Sequence, residues 1–323
     1  MSPSEPVLAL AAQSVVARSR IGAAIVETPC LRSRMEQPNG TELFLKCENF
    51  QGTGSFKLRG AMAKLTSLAR DRRVVTASSG NHGIACSHAA QTTGHDLTVV
   101  LPEGVAKAKR ARIESYGTRT LLHPGDAGLA ERHARALAET EGYIYVSPYN
   151  DETVMQGQGT ISLELLEQVR EIDNVFVSMG GGGLISGVGA VLKAFSPETK
   201  IIGVSAENSA ALAASIEAGR VVETEHLDTL ADGCAGGLDD DALTLPLATE
   251  VIDRVVHCSE QQIAEALFQL AWTDNMIVEG AAALALAGYL SDEAAFAGQT
   301  NVVLLCGANF DRQRILPILA REA

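Results

Sequence analysis

Four short segments carry residues whose types and spacing could do chemistry. Gly180, Gly181, Gly182 and Gly183 follow the apolar run NVFVSM and precede LISGVGAVLKAF. Such a run folds tightly between strand and helix and presents several backbone N–H groups in one concavity. The positive end of the next helix then suits a phosphate monoester. A plain flexible turn reads the same way. The text lacks the Lys-Ser/Thr of a P-loop and the spacing of a dinucleotide fingerprint, so a phosphate held by backbone alone is the functional reading. Lys57, in ENFQGTGSFKLRGAMAKL, stands where a polar loop broken by Gly52 and Gly54 turns into a helix. A lysine in isolation is an ordinary solvated residue. With Phe56 before it and an apolar helix after Gly60, partial burial is expected, which lowers an ammonium pKa and frees a nucleophilic amine for imine formation.

The third segment, TASSGNHGIACSHAAQ, ends a strand at Ser78, Ser79, Gly80, Asn81 and His82, where a helix begins. Helix capping accounts for one of these residues. Hydroxyl, amide and free N–H groups together could hold a carboxylate and a phenolic oxygen. In the fourth, NVVLLCGANFD, Cys306 closes an apolar strand and Gly307 follows. A buried structural cysteine is the default there. Ligands of open α/β sheets bind outside the carboxyl ends of strands, and all four segments occupy such ends.

The elements that must position them alternate along the chain. VVTASS precedes NHGIACSHAAQTTG, LTVVLPEG precedes AKAKRARIESYG, and KIIGVSAEN precedes SAALAASIEAGR. Short continuous apolar runs beside helical periodicity indicate parallel strands covered on both faces, an α/β class. A length of 323 residues allows one or two domains. Residues 71–150 are read as a small unit inserted into a larger one built from 1–70 and 151–323. The net charge of −13 argues against a nucleic-acid partner. No apolar run is long enough to span a bilayer, and the opening text reads as a tail entering an amphipathic helix rather than as a leader. Six scattered cysteines without paired spacing favour a reducing, cytoplasmic setting. Asp239, Asp240 and Asp241 are read as a solvated loop, and GQGTISLELLEQV as a structural helix with Gln156 or Gln158 near the cleft.

Taken together, SFKLRGA, SSGNHG, GGGGL and CGAN resemble the fold-type II pyridoxal-phosphate enzymes, within them the serine/threonine dehydratase (ammonia-lyase) and serine racemase family. The match runs from TPCLRSRMEQ to CGANFD in the same order and with similar gaps. The resemblance implies a tryptophan synthase β-like fold: two open, twisted, mostly parallel sheets flanked by helices. It implies pyridoxal 5'-phosphate as cofactor, held as a Schiff base by Lys57, which also removes the substrate α-proton. Phe56 would lie against the cofactor ring and Asn81 would bond its hydroxyl. Gly180, Gly181, Gly182 and Gly183 would cradle the phosphate. Ser79, Asn81 and His82 would surround the substrate carboxylate, Gly233 would offer backbone beside the ring, and Glu279 would approach it. Cys306 would face the ring nitrogen, where a neutral thiol makes a weaker electron sink than an aspartate-paired ring and favours elimination.

In this family a divalent-cation site uses a Glu, a carbonyl and an Asp. Glu207 and the carbonyl of Ala211 match, but Ala213 stands in the Asp position, so no metal is expected or only a weaker one. Ser79 matches the second base of racemases, and dehydratases carry it too. The expected reaction is β-elimination of water from a β-hydroxy-α-amino acid such as serine, threonine or a related hydroxy amino acid, giving a 2-oxo acid and ammonia. The alternatives are a serine-type racemase with side lyase activity and, more distantly, a non-catalytic relative that binds the cofactor or an amino acid. A small amino-acid substrate and a homo-oligomer, dimer or tetramer, are the expected partners.

Overall fold

Apolar runs that the sequence places beside amphipathic segments become strands buried on both faces. All five residues of Asn174–Ser178 are buried, as are six of the seven in Lys200–Ala206. The computed structural model describes residues 2–38 and 40–321. Met1, Asn39, Glu322 and Ala323, with the outermost limits expected for the larger unit, lie outside the described residues.

The chain opens with α1 (Glu5–Ile21), β1 (Cys30–Arg32), β2 (Glu42–Lys46) and α2 (Lys57–Ser67). A run of short β/α units follows: β3 (Val74–Thr76), α3 (Asn81–Thr93), β4 (Leu97–Pro102), α4 (Lys107–Glu114), β5 (Arg119–His123), α5 (Ala127–Glu141) and β6 (Ile144–Tyr145). Then come α6 (Glu152–Gln168), β7 (Asn174–Ser178), α7 (Gly183–Phe195), β8 (Lys200–Ala206), α8 (Ala211–Ala218), α9 (Thr244–Val251) and β9 (Arg254–Cys258). The chain closes with α10 (Glu260–Trp272), α11 (Gly280–Leu290), β10 (Thr300–Leu304) and α12 (Arg312–Leu319).

The strands form two sheets. One has the order β1-β2-β10-β7-β8-β9 and the other β5-β4-β3-β6. Among the described residues only β1 runs antiparallel, against β2; every other strand pairing is parallel. A parallel arrangement needs crossovers, and the helices between strands supply them. Their ends follow local chemistry. Asp126 and Asp151 cap α5 and α6 by accepting from the N–H groups of Leu129 and Val154, and Ser259 with Gln262 forms a capping box on α10.

The larger core sits between the six-stranded sheet and its helices. A second core joins Leu58, Met62 and Leu65 of α2 to Val74, Ile84 and Val99 of the four-stranded sheet and its helix. Helix α2 therefore stands between the two sheets, and Lys57 is its first residue. The strands β2, β3, β7 and β10 all point their carboxyl ends toward loops that carry the four segments singled out in the sequence.

Candidate active site

Lys57 begins α2 directly behind Phe56, whose N–H donates to the carbonyl of Cys306 at 3.0 Å. An isolated bridge between Ser55 and Gly307 zips the same two segments together. This pairing brings the lysine loop to the end of β10 across some 250 residues of sequence. Lys57 is half-buried in the cleft wall, and its Nζ donates to the carbonyl of Pro148 at 2.6 Å. Burial lowers its pKa to about 8, against opposing effects of Cys234, Cys306, Cys86 and Glu279. An amine of that kind is partly neutral near physiological pH, the state that attacks a carbonyl. The Phe56 ring is buried, with its centroid 5.1 Å from Nζ.

The glycine loop leaves β7 and enters α7 with Gly182 at φ +89°, a left-handed conformation that favours glycine. None of the four glycine N–H groups has a hydrogen-bond partner among the described residues. The loop leaves no room for side chains. A Cβ at Gly180 would lie 3.0 Å from the Cys234 backbone, one at Gly181 would run into the Tyr149 ring, and one at Gly183 would lie 2.8 Å from the Tyr149 Cα. Thr244 Oγ1 donates to the carbonyl of Gly181 at 2.7 Å and holds the loop from outside. Unpartnered amides converging at a helix start are the donor set a phosphate requires.

Asn81 opens α3. Its Nδ2 donates to both oxygens of Glu279, at 2.9 and 3.1 Å, and its Oδ1 accepts from Asn309 Nδ2 at 2.6 Å. Glu279 stands at the N-cap position of α11 without capping it by its side chain, and is 3% exposed. It also accepts from the Asn309 N–H at 3.0 Å and lies 3.8 Å from the Cys306 sulfur. Burial raises its pKa to about 7, opposed by the bonds from Asn81 and Asn309. Gly307 makes this approach possible, because a Cβ there would sit 2.7 Å from Glu279 Oε1. Gly233 lies on the other side, its added Cβ 3.6 Å from the same oxygen. Cys306 is buried, and burial holds its thiol protonated well above the ordinary range. Ser79 is half-buried at the mouth of the same loop, and its side chain has no protein hydrogen bond among the described residues.

Three expectations need correction. The His82 ring does not face the loop mouth: its Nε2 lies 3.0 Å from the Val146 carbonyl and 3.5 Å from the Cys86 sulfur. Burial lowers its pKa to about 3, so the ring is neutral, with Nε2 donating to the carbonyl. Only its backbone N–H is left for a ligand. Gln158 is 1% exposed and packs on Gly60 of α2 rather than lining the cleft. Asp239 is more than a solvated residue, since it pairs with Arg135 at 2.9 Å and its N–H donates to the Tyr149 hydroxyl at 2.7 Å. Glu207 is exposed at the end of β8 and Ala211 begins α8, and no group of three or more His, Cys, Asp or Glu suited to a metal occurs among the described residues.

Residues 21–307 match the family described as pyridoxal-phosphate dependent enzyme. The chain belongs to that family. As a pyridoxal-phosphate-dependent enzyme it is 37% identical to the catabolic L-threonine dehydratase of Escherichia coli over 311 residues, 94% of each chain. It is similar to the solved structure of the processed form of threonine deaminase isoform 2 from Solanum lycopersicum, with a TM-score of 0.90 and 30% identity over 99% of this chain and 95% of that one. It is also similar to maize serine racemase, with a TM-score of 0.87 and 31% identity over 95% of each chain. Pyridoxal phosphate is the cofactor of the family. The residues present fit it, since free amides with no space for Cβ atoms stand on one side and the half-buried Lys57 amine on another. Sequence reasoning missed Tyr149, Pro148 and Thr244, which have no local signature, and Asn309, which lies inside the CGAN text and could have been found there.

Proposed function

We infer that this chain is a pyridoxal-phosphate-dependent ammonia-lyase that eliminates water from a β-hydroxy-α-amino acid and yields a 2-oxo acid and ammonia. The observation that carries this reading is the half-buried amine of Lys57, with its pKa at about 8, in a cleft shared with the protonated thiol of Cys306. Similarity to threonine dehydratases along nearly the whole chain supports a substrate of the serine and threonine class.

When bound, the cofactor supplies an electrophilic carbonyl and an electron-withdrawing ring. Lys57 would hold it covalently, and its Nζ, once released as a free amine, would take the proton from the substrate Cα. The N–H groups of Gly180, Gly181, Gly182 and Gly183 would hold the phosphate, and Phe56 would pack on the ring. Asn81 would serve the ring hydroxyl. Ser79, Asn81 and the first-turn N–H groups of α3 would bind the substrate carboxylate, a charge favoured at a helix start. Gly233 and Glu279 would border the ring, and Cys306 would face its nitrogen as a neutral thiol. A thiol of that kind cannot neutralise a protonated ring nitrogen as a carboxylate does, which favours departure of the β-hydroxyl over prolonged carbanion chemistry.

Purified protein should show a violet absorption band with added cofactor, and Lys57→Ala should lose both the band and the release of 2-oxo acid. Failure of the wild type to show that band sinks the reading. The racemase alternative is kept on the similarity to maize serine racemase, and Ser79 does not decide between the two, because dehydratases carry that serine too. A panel of β-hydroxy amino acids scored for 2-oxo acid and for enantiomer exchange separates the two. The same reading takes 71–150 as a small unit inserted between 1–70 and 151–323, supported by the confinement of β3 to β6 to residues 74–145. It takes the protein as cytoplasmic, supported by six free cysteines. It also takes it as a homo-oligomer, supported by Trp272 and Leu316, 65% and 57% exposed on the packed helices α10 and α12.

A further inference from the structure

Behind Lys57 lies a group of charges that the site does not use. Arg59 has no exposure and makes a two-bond fork with each of two carboxylates. Nε and Nη2 reach Glu48 at 2.7 and 2.8 Å, and Nη1 and Nη2 reach Glu164 at 2.5 and 2.8 Å. Lys46 Nζ also donates to Glu164 at 2.5 Å, and to the Thr28 carbonyl at 2.7 Å. Two cations and two anions, all buried, thus tie α2 to the end of β2 and to α6. Well-packed apolar residues of the same volume give comparable stability, so a buried ionic cluster is weak support for a purely stabilising role.

Its place suggests a different one. Helix α6 passes between α2 and α7, and backbone comes close to backbone at both contacts. A Cβ at Gly157 of α6 would lie 2.6 Å from Gly60 Cα, and one at Gly187 of α7 would lie 2.9 Å from the Gly159 N of α6. Gly60 stands three residues past Lys57, and Gly187 four past Gly183. The amine and the glycine loop are therefore each within about one turn of the same helix.

We propose that Arg59, Glu164, Glu48 and Lys46, acting through the glycine-lined helix α6, are positioning residues that set the distance between the Lys57 amine and the Gly180–Gly183 amides. The inference rests on these two groups being the opposite ends of the cofactor site. Close backbone contacts admit one spacing only, and the forked Arg59 bonds forbid α2 to slide or turn on α6.

The test compares two aldehydes on cofactor-stripped, folded protein: pyridoxal phosphate and pyridoxal, which lacks the phosphate. The dissociation constant of pyridoxal divided by that of pyridoxal phosphate, read from the violet band, reports whether amine and phosphate cradle are in register. Arg59→Lys, Glu164→Gln and Gly157→Ala should each lower that ratio about tenfold or more. Glu167→Gln, on the same helix but paired with Arg18 at the surface, should leave it unchanged. The proposal is overturned if Arg59→Lys or Glu164→Gln folds with the wild-type ratio, or if both aldehydes weaken by one factor. Loss of folding in all three variants, with Glu167→Gln intact, makes the cluster a stability device and overturns it too. A wild type with no violet band from either aldehyde instead removes the assignment of Lys57.

Discussion

At the scale of single residues, Glu279 shows how one carboxyl ties several side chains together. It accepts from Asn81, Asn309 and Cys306 and has almost no contact with solvent. Its folded pKa, about 7, stands above the ordinary 4.5 because burial disfavours the charge. Below about pH 4.5 the folded and unfolded chains both hold the proton, so the group costs nothing. As pH rises toward 7 the unfolded chain releases a proton that the folded chain keeps, and stability falls. Above 7 the loss is on the order of 3 kcal/mol relative to acid. Glu279→Gln removes this dependence. In thermal unfolding of the cofactor-free protein, the melting temperature of the variant minus that of the wild type should increase between pH 5 and pH 8. A difference that stays level across that range contradicts the burial argument.

At the scale of elements, helix starts place most of the chemistry. α2 begins with Lys57, α3 with Asn81, α7 with Gly183, and α11 follows Glu279. Helix α6 has no such residue and instead carries the spacing between α2 and α7. Its own start is held by Asp151, which accepts from the Val154 N–H at 3.0 Å and pairs with Lys64 of α2 at 2.5 Å. Asp151→Ala removes a cap and a half-buried ion pair together and should cost about 1–2 kcal/mol in denaturant unfolding. A loss indistinguishable from zero would show that packing alone sets the start of α6.

At the scale of the whole molecule, the two sheets differ in how firmly they are built. β7 is buried at every residue, whereas β5, an edge strand, is exposed at Arg119 and Leu122, and α4 buries only Ile113. Amide hydrogen exchange should be slowest in β7, β8 and β10 and markedly faster in α4 and β5, because local opening exposes little apolar surface there. Arg112 of α4 reaches across to Asn309 Oδ1 at 2.7 Å and links this looser region to the other sheet. Equal protection in β5 and β7 would show that the molecule opens only as one unit.

The four segments, their order and the α/β alternation were legible in sequence because each is a local property: a glycine run, a helix start, a period of apolar residues. From these Lys57, the glycine loop and Cys306 could be singled out before any coordinates. What the sequence could not show is which side chains meet. Asn81 and Glu279 are separated by 198 residues, and Lys46 and Glu164 by 118. The His82 ring looked like a ligand group, yet it turns into the core because the Val146 carbonyl waits there. Arg59 and Glu48, charged residues in a polar stretch, lie at zero exposure because they pair with each other, with Glu164 and Thr160 of α6, and with Thr28. Burial of a charge depends on non-local partners that neutralise it, so only the folded chain decides which charges lie inside and what they hold in place.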